Sequence, residues 1–291
     1  MTQTGASTYP VELQEKVDAY LAELRFAAEP GTKGLEEAMR YSLLAGGKRI
    51  RPVLSLATAD ALGRDADAVL PLAAAIEMIH TYSLIHDDLP AMDDDELRRG
   101  KATCHVAFGE DVAILAGDAL FAEALKLLLT RQSGDPAGVL AATREIVSAA
   151  GAAGMVGGQY LDVAGEGTEL RHLHELKTGA LIAASVGAVL ALEGLNGPAT
   201  IPFRRFAGEL GVVFQIVDDI LDVTGEEEEL GKPRGSDERH GKATYVSAHG
   251  VERAHELARE SHARARAALE EASGATGRLG QIADYILTRS A

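Results

Sequence analysis

Apolar residues recur three and four positions apart along almost the whole chain, the spacing of one face of an α-helix. The stretches that carry this period are residues 11–28, 35–44, 51–62, 69–87, 111–129, 136–151, 170–192, 202–223 and 251–272. Alanine and leucine dominate them, and alternating runs of Val, Ile and Thr are scarce, so the pattern predicts helices with hardly any strand. Thr8, Tyr9 and Pro10 read as a cap followed by a proline in the first turn of the first helix. No block repeats at a fixed period, and no Pro/Gly/Ser-rich linker divides the chain. The expectation is an all-α, single-domain helical bundle over residues 1–291, with residues 1–8 as a flexible N-terminal tail.

Composition narrows the function classes. A chain of 291 residues is long enough for a sizeable core, and 46% apolar with 25% charged residues is the balance of a soluble globular protein. The longest clean apolar run, 179–192 between Lys177 and Glu193, is short for a membrane span, so no integral membrane association is expected. The opening MTQTGASTYP has neither the basic nor the apolar region of a signal peptide. A single cysteine, Cys104, allows no internal disulfide and no zinc cluster; it reads as a small buried residue in a reduced, cytoplasmic protein. A net charge of −16 argues against a nucleic-acid surface, and so does an aromatic content of 4% without tryptophan.

Two aspartate clusters change the picture. The first, HDDLPAMDDDELRRG, places Asp87, Asp88, Asp93, Asp94 and Asp95 at the end of an apolar helix; the second, FQIVDDILD, carries Asp218, Asp219 and Asp222. Carboxylates crowded at the ends of core helices repel one another unless cations compensate. Gln215, Asp218 and Asp222 share one helix face, as do His80, Ser83 and Asp87, by their i, i+3, i+7 spacing. Pro90 interrupts the first helix, so Asp93 is presented from the turn beyond. Hard oxygen ligands at this density suit Mg2+, which is normally shared with substrate phosphates. Gly46-Gly47-Lys48-Arg49-Ile50-Arg51-Pro52 and Arg98-Arg99 add clustered cations. Acidic clusters and basic segments together describe a cavity for diphosphates.

With GGKRIRP, HDDLPAMDDDELRRG, the Lys177-Thr178-Gly179 triplet and FQIVDDILD, the chain resembles the trans-polyprenyl diphosphate synthases, most closely the bacterial farnesyl diphosphate synthases, from about residue 35 to about residue 245. The resemblance implies an all-helical fold around a deep central cavity, a homodimer, and small-molecule diphosphate substrates. It implies that Asp87 and Asp93 hold two Mg2+ on an allylic diphosphate and Asp218 a third, with Asp88, Asp219 and Asp222 supporting these metal sites. Arg98, Lys177 and Lys232 would contact the allylic diphosphate, with Lys242 nearby. Gly47, Lys48, Arg51, His80 and Arg99 would bind isopentenyl diphosphate. Thr178 and Gln215 would set oxygen dipoles beside the developing cation. The activity so implied is a Mg2+-dependent prenyl transfer giving farnesyl diphosphate, with geranylgeranyl diphosphate as the alternative product.

Tyr82 and Ser83 precede Asp87 by five and four residues, about 6–7.5 Å back along the helix. In the family a large residue at one of these positions is the floor that limits the growing tail, so Tyr82 suggests a fifteen-carbon product. Residues 225–245, with an acidic run and several glycines, read as a lid loop carrying Lys232 and Lys242. A reading from another class is a helical di-iron carboxylate protein, from Glu77-x-x-His80 and Glu252-x-x-His255. It leaves both aspartate clusters unexplained. The scarcity of aromatics also disfavours a terpene cyclase, whose pocket stabilises migrating cations with rings.

Overall fold

The computed structural model describes residues 9–26, 29–165, 169–225 and 242–289. The chain begins with α1 (Val11–Glu23), α2 (Lys33–Leu43), α3 (Ile50–Ala61) and α4 (Leu70–Asp87). A two-strand hairpin, β1 (Leu97–Arg98) and β2 (Lys101–Ala102), precedes α5 (Cys104–Phe108), α6 (Glu110–Arg131), α7 (Pro136–Ala150) and α8 (Met155–Ala164). Then α9 (Leu170–His174) runs through a π-helical turn (Glu175–Gly179) into α10 (Ala180–Leu192). The rest is α11 (Ile201–Thr224), α12 (Tyr245–His249), α13 (Val251–Glu271) and α14 (Gly277–Thr288).

The helices that are apolar on every side lie inside, as they must, because no face of them gains from water. In α10, Leu181, Ile182, Val186, Val189 and Leu190 are all buried, against α3, α7 and α11. In α4 the run from Leu72 to Ile79 is buried between α3 and α6. The outer helix α13 is amphipathic and packs its alanines, Ala254, Ala258 and Ala265, onto α11. Local chemistry sets several starts. The Asp135 carboxylate accepts from the N–H groups of Ala137 and Gly138 ahead of Pro136, and Thr244 and Ser247 form a reciprocal capping box for α12.

Most expected helices match within a residue or two, with three informative departures. The first helix ends at Glu23 rather than at residue 28, because Leu24 turns into extended backbone and the carbonyls of Ala22 and Leu24 take guanidinium donors from Arg25 and Arg40. The helices α8 and α14 were not expected, since Gly157-Gly158 and Gly277 with Gly280 lower helix propensity. The expected helix over 170–192 is continuous but carries the π-turn. Three helical runs, Ala66–Asp87, Pro136–Ala164 and Leu170–Leu192, are long and apolar enough to cross a membrane by length and composition. The first and third bury 61% of their most apolar window within the fold. Cys104 is buried, and residues 1–8 lie outside the described residues.

Candidate active site

A cavity of about 1470 Å³ opens where α4, α8, the π-turn, α11 and the end of α14 meet. Its wall divides into a basic and an acidic half.

The basic half is built on the Gly46-Gly47-Lys48-Arg49 turn, in which Gly46, Gly47 and Arg49 all have left-handed backbone, with φ of +87°, +113° and +52°. The turn is clamped from outside. The Tyr9 hydroxyl donates to the Lys48 carbonyl at 2.5 Å, and Gln14 Nε2 donates to the Gly47 carbonyl at 3.0 Å. Arg49 is buried and donates to Glu77 Oε1 at 2.6 Å, Asp18 Oδ1 at 2.8 Å and the Leu43 carbonyl at 2.9 Å. Anchoring Arg49 this way fixes the turn from which Lys48 and Arg51 reach the cavity wall. Arg99 lies across Gly47, its guanidinium carbon 2.6 Å from where a Cβ would stand, and the φ of +113° at Gly47 is a conformation that favours glycine. The hairpin tip supplies Arg99 and Gly100, both with positive φ, the requirement of a tight primed turn. It directs Arg98 to Asp88 and Arg99 to the Gly46 carbonyl. His80 faces these cations; burial, followed by Arg51 and Arg99, holds its imidazole well below the usual range, so it is neutral. Burial likewise pulls Arg51 down to about 10.

The acidic half comes from the two clusters. Beyond α4 the chain folds back so that the Asp93 N–H donates to the Asp87 carbonyl at 2.8 Å. Burial pushes the Asp87 carboxyl up to about 6; Lys177 opposes this and Asp93 adds to it. Asp93 receives Lys242 Nζ at 2.8 Å. On α11, Asp218 and Asp222 line the cavity, while Gln215 accepts from Thr178 Oγ1 at 2.7 Å. Lys177 pairs with Asp162 Oδ2 at 2.5 Å. The π-turn that presents Lys177 and Thr178 is gripped by two glycines. A Cβ at Gly158 would overlap the Lys177 backbone, and one at Gly211 would stand 2.9 Å from Gly179 Cα.

Thus Gly47, Lys48, Arg51, His80, Tyr82, Ser83, Asp87, Arg98, Arg99, Lys177, Thr178, Asp218 and Asp222 line one cavity; Gln215 is bonded to Thr178 of that lining, and Asp93 pairs with Lys242. Asp88 and Asp219 are engaged by protein donors. Asp88 is buried and held by Arg98 Nε at 2.7 and 3.0 Å, and Asp219 is buried and accepts from Gln215 Nε2 and the Tyr245 N–H, each at 2.7 Å. Neither is part of the cavity wall, although the neighbouring Asp87 and Asp218 are. Lys232 lies outside the described residues, as does most of the expected lid. The di-iron reading fails: Glu77 is committed to Arg49, and Glu252 and His255 are exposed on α13. Sequence reasoning missed Asp18, Arg49, Glu77, Asp162 and Arg289. A lone Glu77 inside the apolar run of α4 was the available signal for a buried ion pair.

The oxygen-only donors Asp87, Asp93, Asp218 and Asp222 fit Mg2+. Among the described residues no three acidic, histidine or cysteine side chains form a closed metal cage.

The model of the Polyprenyl synthetase family matches residues 32–286. The chain is 47% identical over 252 residues to the farnesyl diphosphate synthase of Geobacillus stearothermophilus, covering 84% of each chain. It is 43% identical over 289 residues to the geranylgeranyl pyrophosphate synthase of Capsicum annuum, covering 97% of this chain and 78% of that one. Among solved structures, the geranyltransferase of Helicobacter pylori complexed with magnesium and isoprenyl diphosphate superposes with a TM-score of 0.84 at 33% identity, covering 99% of this chain and 97% of that one. With this coverage and a wall of both aspartate clusters facing buried cations, the chain belongs to the polyprenyl synthetase family and is an enzyme that transfers prenyl groups.

Proposed function

We propose that the protein condenses isopentenyl diphosphate with dimethylallyl and geranyl diphosphates to give farnesyl diphosphate and diphosphate. One observation carries this reading: an acidic and a cationic half face each other across a single cavity, with Tyr82 on its wall. Asp87, Asp93, Asp218 and Asp222 hold magnesium, three ions in all, and Asp88 and Asp219 support them through Arg98 and Tyr245. When bound, magnesium neutralises charge on the allylic diphosphate as it leaves. Arg98, Lys177 and Lys242 satisfy further oxygens of that group, and Lys232 joins them. Lys48, Arg51, Arg99 and neutral His80 bind isopentenyl diphosphate without a metal. The Thr178 and Gln215 oxygens stabilise the allylic cation, which the isopentenyl double bond attacks from a fixed geometry. The released diphosphate takes the final proton.

Tyr82 limits the product. Its ring stands edge-on to His86 and Phe121, at 5.8 and 5.4 Å between centroids, which braces it against a growing tail. The chain works as one domain and as a cytoplasmic homodimer. Exposed Ile114, Leu115 and Leu129 on α6 and Leu140 on α7 supply an apolar face for self-association. The test is incubation with isopentenyl diphosphate, Mg2+ and each allylic primer, followed by sizing of the dephosphorylated products. Farnesol as the main product is expected. Geranylgeraniol would move the assignment to the alternative, and no product with any primer would reject it.

A further inference from the structure

Arg289 follows α14 directly, lines the cavity and reaches α11. Its Nη2 donates to Asp218 Oδ1 at 2.6 Å and to the Phe214 carbonyl at 3.4 Å. Its side chain is 8% exposed, whereas that of Asp218 is 53% exposed. A surface ion pair held by a floppy arginine would show the reverse. The Arg289 guanidinium carbon lies 4.3 Å from the centre of the Phe214 ring, and that of Arg51 lies 5.6 Å from the same ring. The Nε of each arginine is buried without a hydrogen-bond partner.

Two buried cations therefore share one aromatic ring, each with a donor left over. Such a pair is an incomplete anion site, because a bound phosphate oxygen would satisfy both donors and relieve their repulsion. Among the described residues Arg51 makes no ion pair and feels Glu77 and Asp218 only through space, whereas Arg289 is tied to Asp218, on the other half of the wall. A guanidinium on Asp218 Oδ1 competes with a divalent cation for that carboxylate.

Resting on the prenyl-transfer reading above, we propose that Arg289 is an exchangeable cation shared by the two halves of the site. It neutralises Asp218 until a divalent cation takes that carboxylate, and then joins Arg51 on the diphosphate of isopentenyl diphosphate. Phe214 keeps its guanidinium between the two positions. The exchange makes metal loading at Asp218 and anion capture at Arg51 mutually reinforcing, since linkage acts equally in both directions.

The test uses the full-length protein stripped of divalent cations, with Arg289→Gln and Arg289→Lys variants. Mn2+ alone is titrated, with free Mn2+ followed by electron paramagnetic resonance, and steady-state KM is measured separately for isopentenyl and allylic diphosphates with Mg2+. For Arg289→Gln, Mn2+ affinity is expected to rise about threefold or more because its competitor is gone. KM for isopentenyl diphosphate is expected to rise about tenfold, a typical loss for a charged contact, with allylic KM little changed. Arg289→Lys, which keeps the charge, should return Mn2+ affinity towards that of the unsubstituted protein. A merely structural role would weaken both ligands together. Mn2+ affinity that is unchanged or weaker in Arg289→Gln overturns the exchange, and so does an unchanged isopentenyl diphosphate KM. A parent protein that makes no product would strike the prenyl-transfer reading alone, and the Mn2+ titrations would still decide the contest at Asp218.

Discussion

Asp87, Asp218 and Asp222 face the cavity from helices whose other residues are largely apolar, whereas Lys48, Arg51, His80 and Arg99 face it from a loop, a helix start, mid-helix and a hairpin tip. The acidic half is local: each cluster lies within a few residues, the first at the end of α4 and in the turn beyond it, the second on α11. The basic half is assembled. Its turn needs Tyr9 and Gln14 from α1, Asp18 and Glu77 beneath Arg49, and glycine at 47 for Arg99 to lie across it. The lesson is that an anion site built from carboxylates borrows its positive charge from a metal, while one built from buried cations must obtain its rigidity from distant parts of the chain.

The comparison can be broken most forcefully at Asp87. Asp87→Ala should lower kcat about 10²- to 10³-fold, the usual cost of removing one electrostatic contact to a leaving group, while leaving KM for isopentenyl diphosphate nearly unchanged. Steady-state kinetics with each substrate varied in turn checks this; an equal rise in that KM would show the halves to be inseparable. Glu77→Leu attacks the other side. It leaves Arg49 with Asp18 and the Leu43 carbonyl alone, and losing a charge-assisted hydrogen bond of this kind costs about 1.5–3 kcal/mol, measurable by urea unfolding.

The third prediction concerns pH. With the Asp87 carboxyl at about 6, the folded protein holds this proton more tightly than the unfolded chain, whose carboxyl titrates near 3.8. Ionised Asp87 therefore costs stability above pH 6, and that cost fades as pH falls through 6. Asp87→Asn should raise the melting temperature of the cation-stripped protein at pH 8 but not at pH 4. Because the metal needs the ionised form, Mg2+ affinity should fall about tenfold between pH 7 and pH 5 in the parent protein, read by calorimetric titration. The smallest change sharpens the contrast at the cavity's far end. Tyr82→Ala opens the space against His86 and Phe121 and should lengthen the main product by a five-carbon unit, seen by chromatography of the dephosphorylated products. An unchanged product length would remove Tyr82 as the floor.

Much of this was legible in the chain. Helices α4 and α10 were marked by continuous apolar runs, because they bury nearly all of their circumference, and α11 by the 3.6-residue period of one buried face. The stripe of His80, Ser83 and Asp87 emerged on the cavity wall because spacing on one helix already determines a shared face. What escaped was long-range or of low propensity. Helix α8 hid behind Gly157-Gly158, where Gly158 is needed for the Lys177 backbone to approach. Asp88 and Asp219 read like their neighbours in the clusters, yet they turn inward to Arg98 and Tyr245, which only the hairpin and α12 bring within reach.

By itself, the sequence determined the helical class, the two carboxylate clusters and the cations that must answer them, since these depend on residue type and local period. Tertiary structure alone decided which aspartates face the cavity, that the helix carrying Lys177 loosens into a π-turn, and that Arg49 is a buried anchor of its turn. It also decided that Arg289 meets Asp218, 71 residues away along the chain. Such outcomes depend on which surfaces close against one another, and packing between segments far apart in sequence has no local signature.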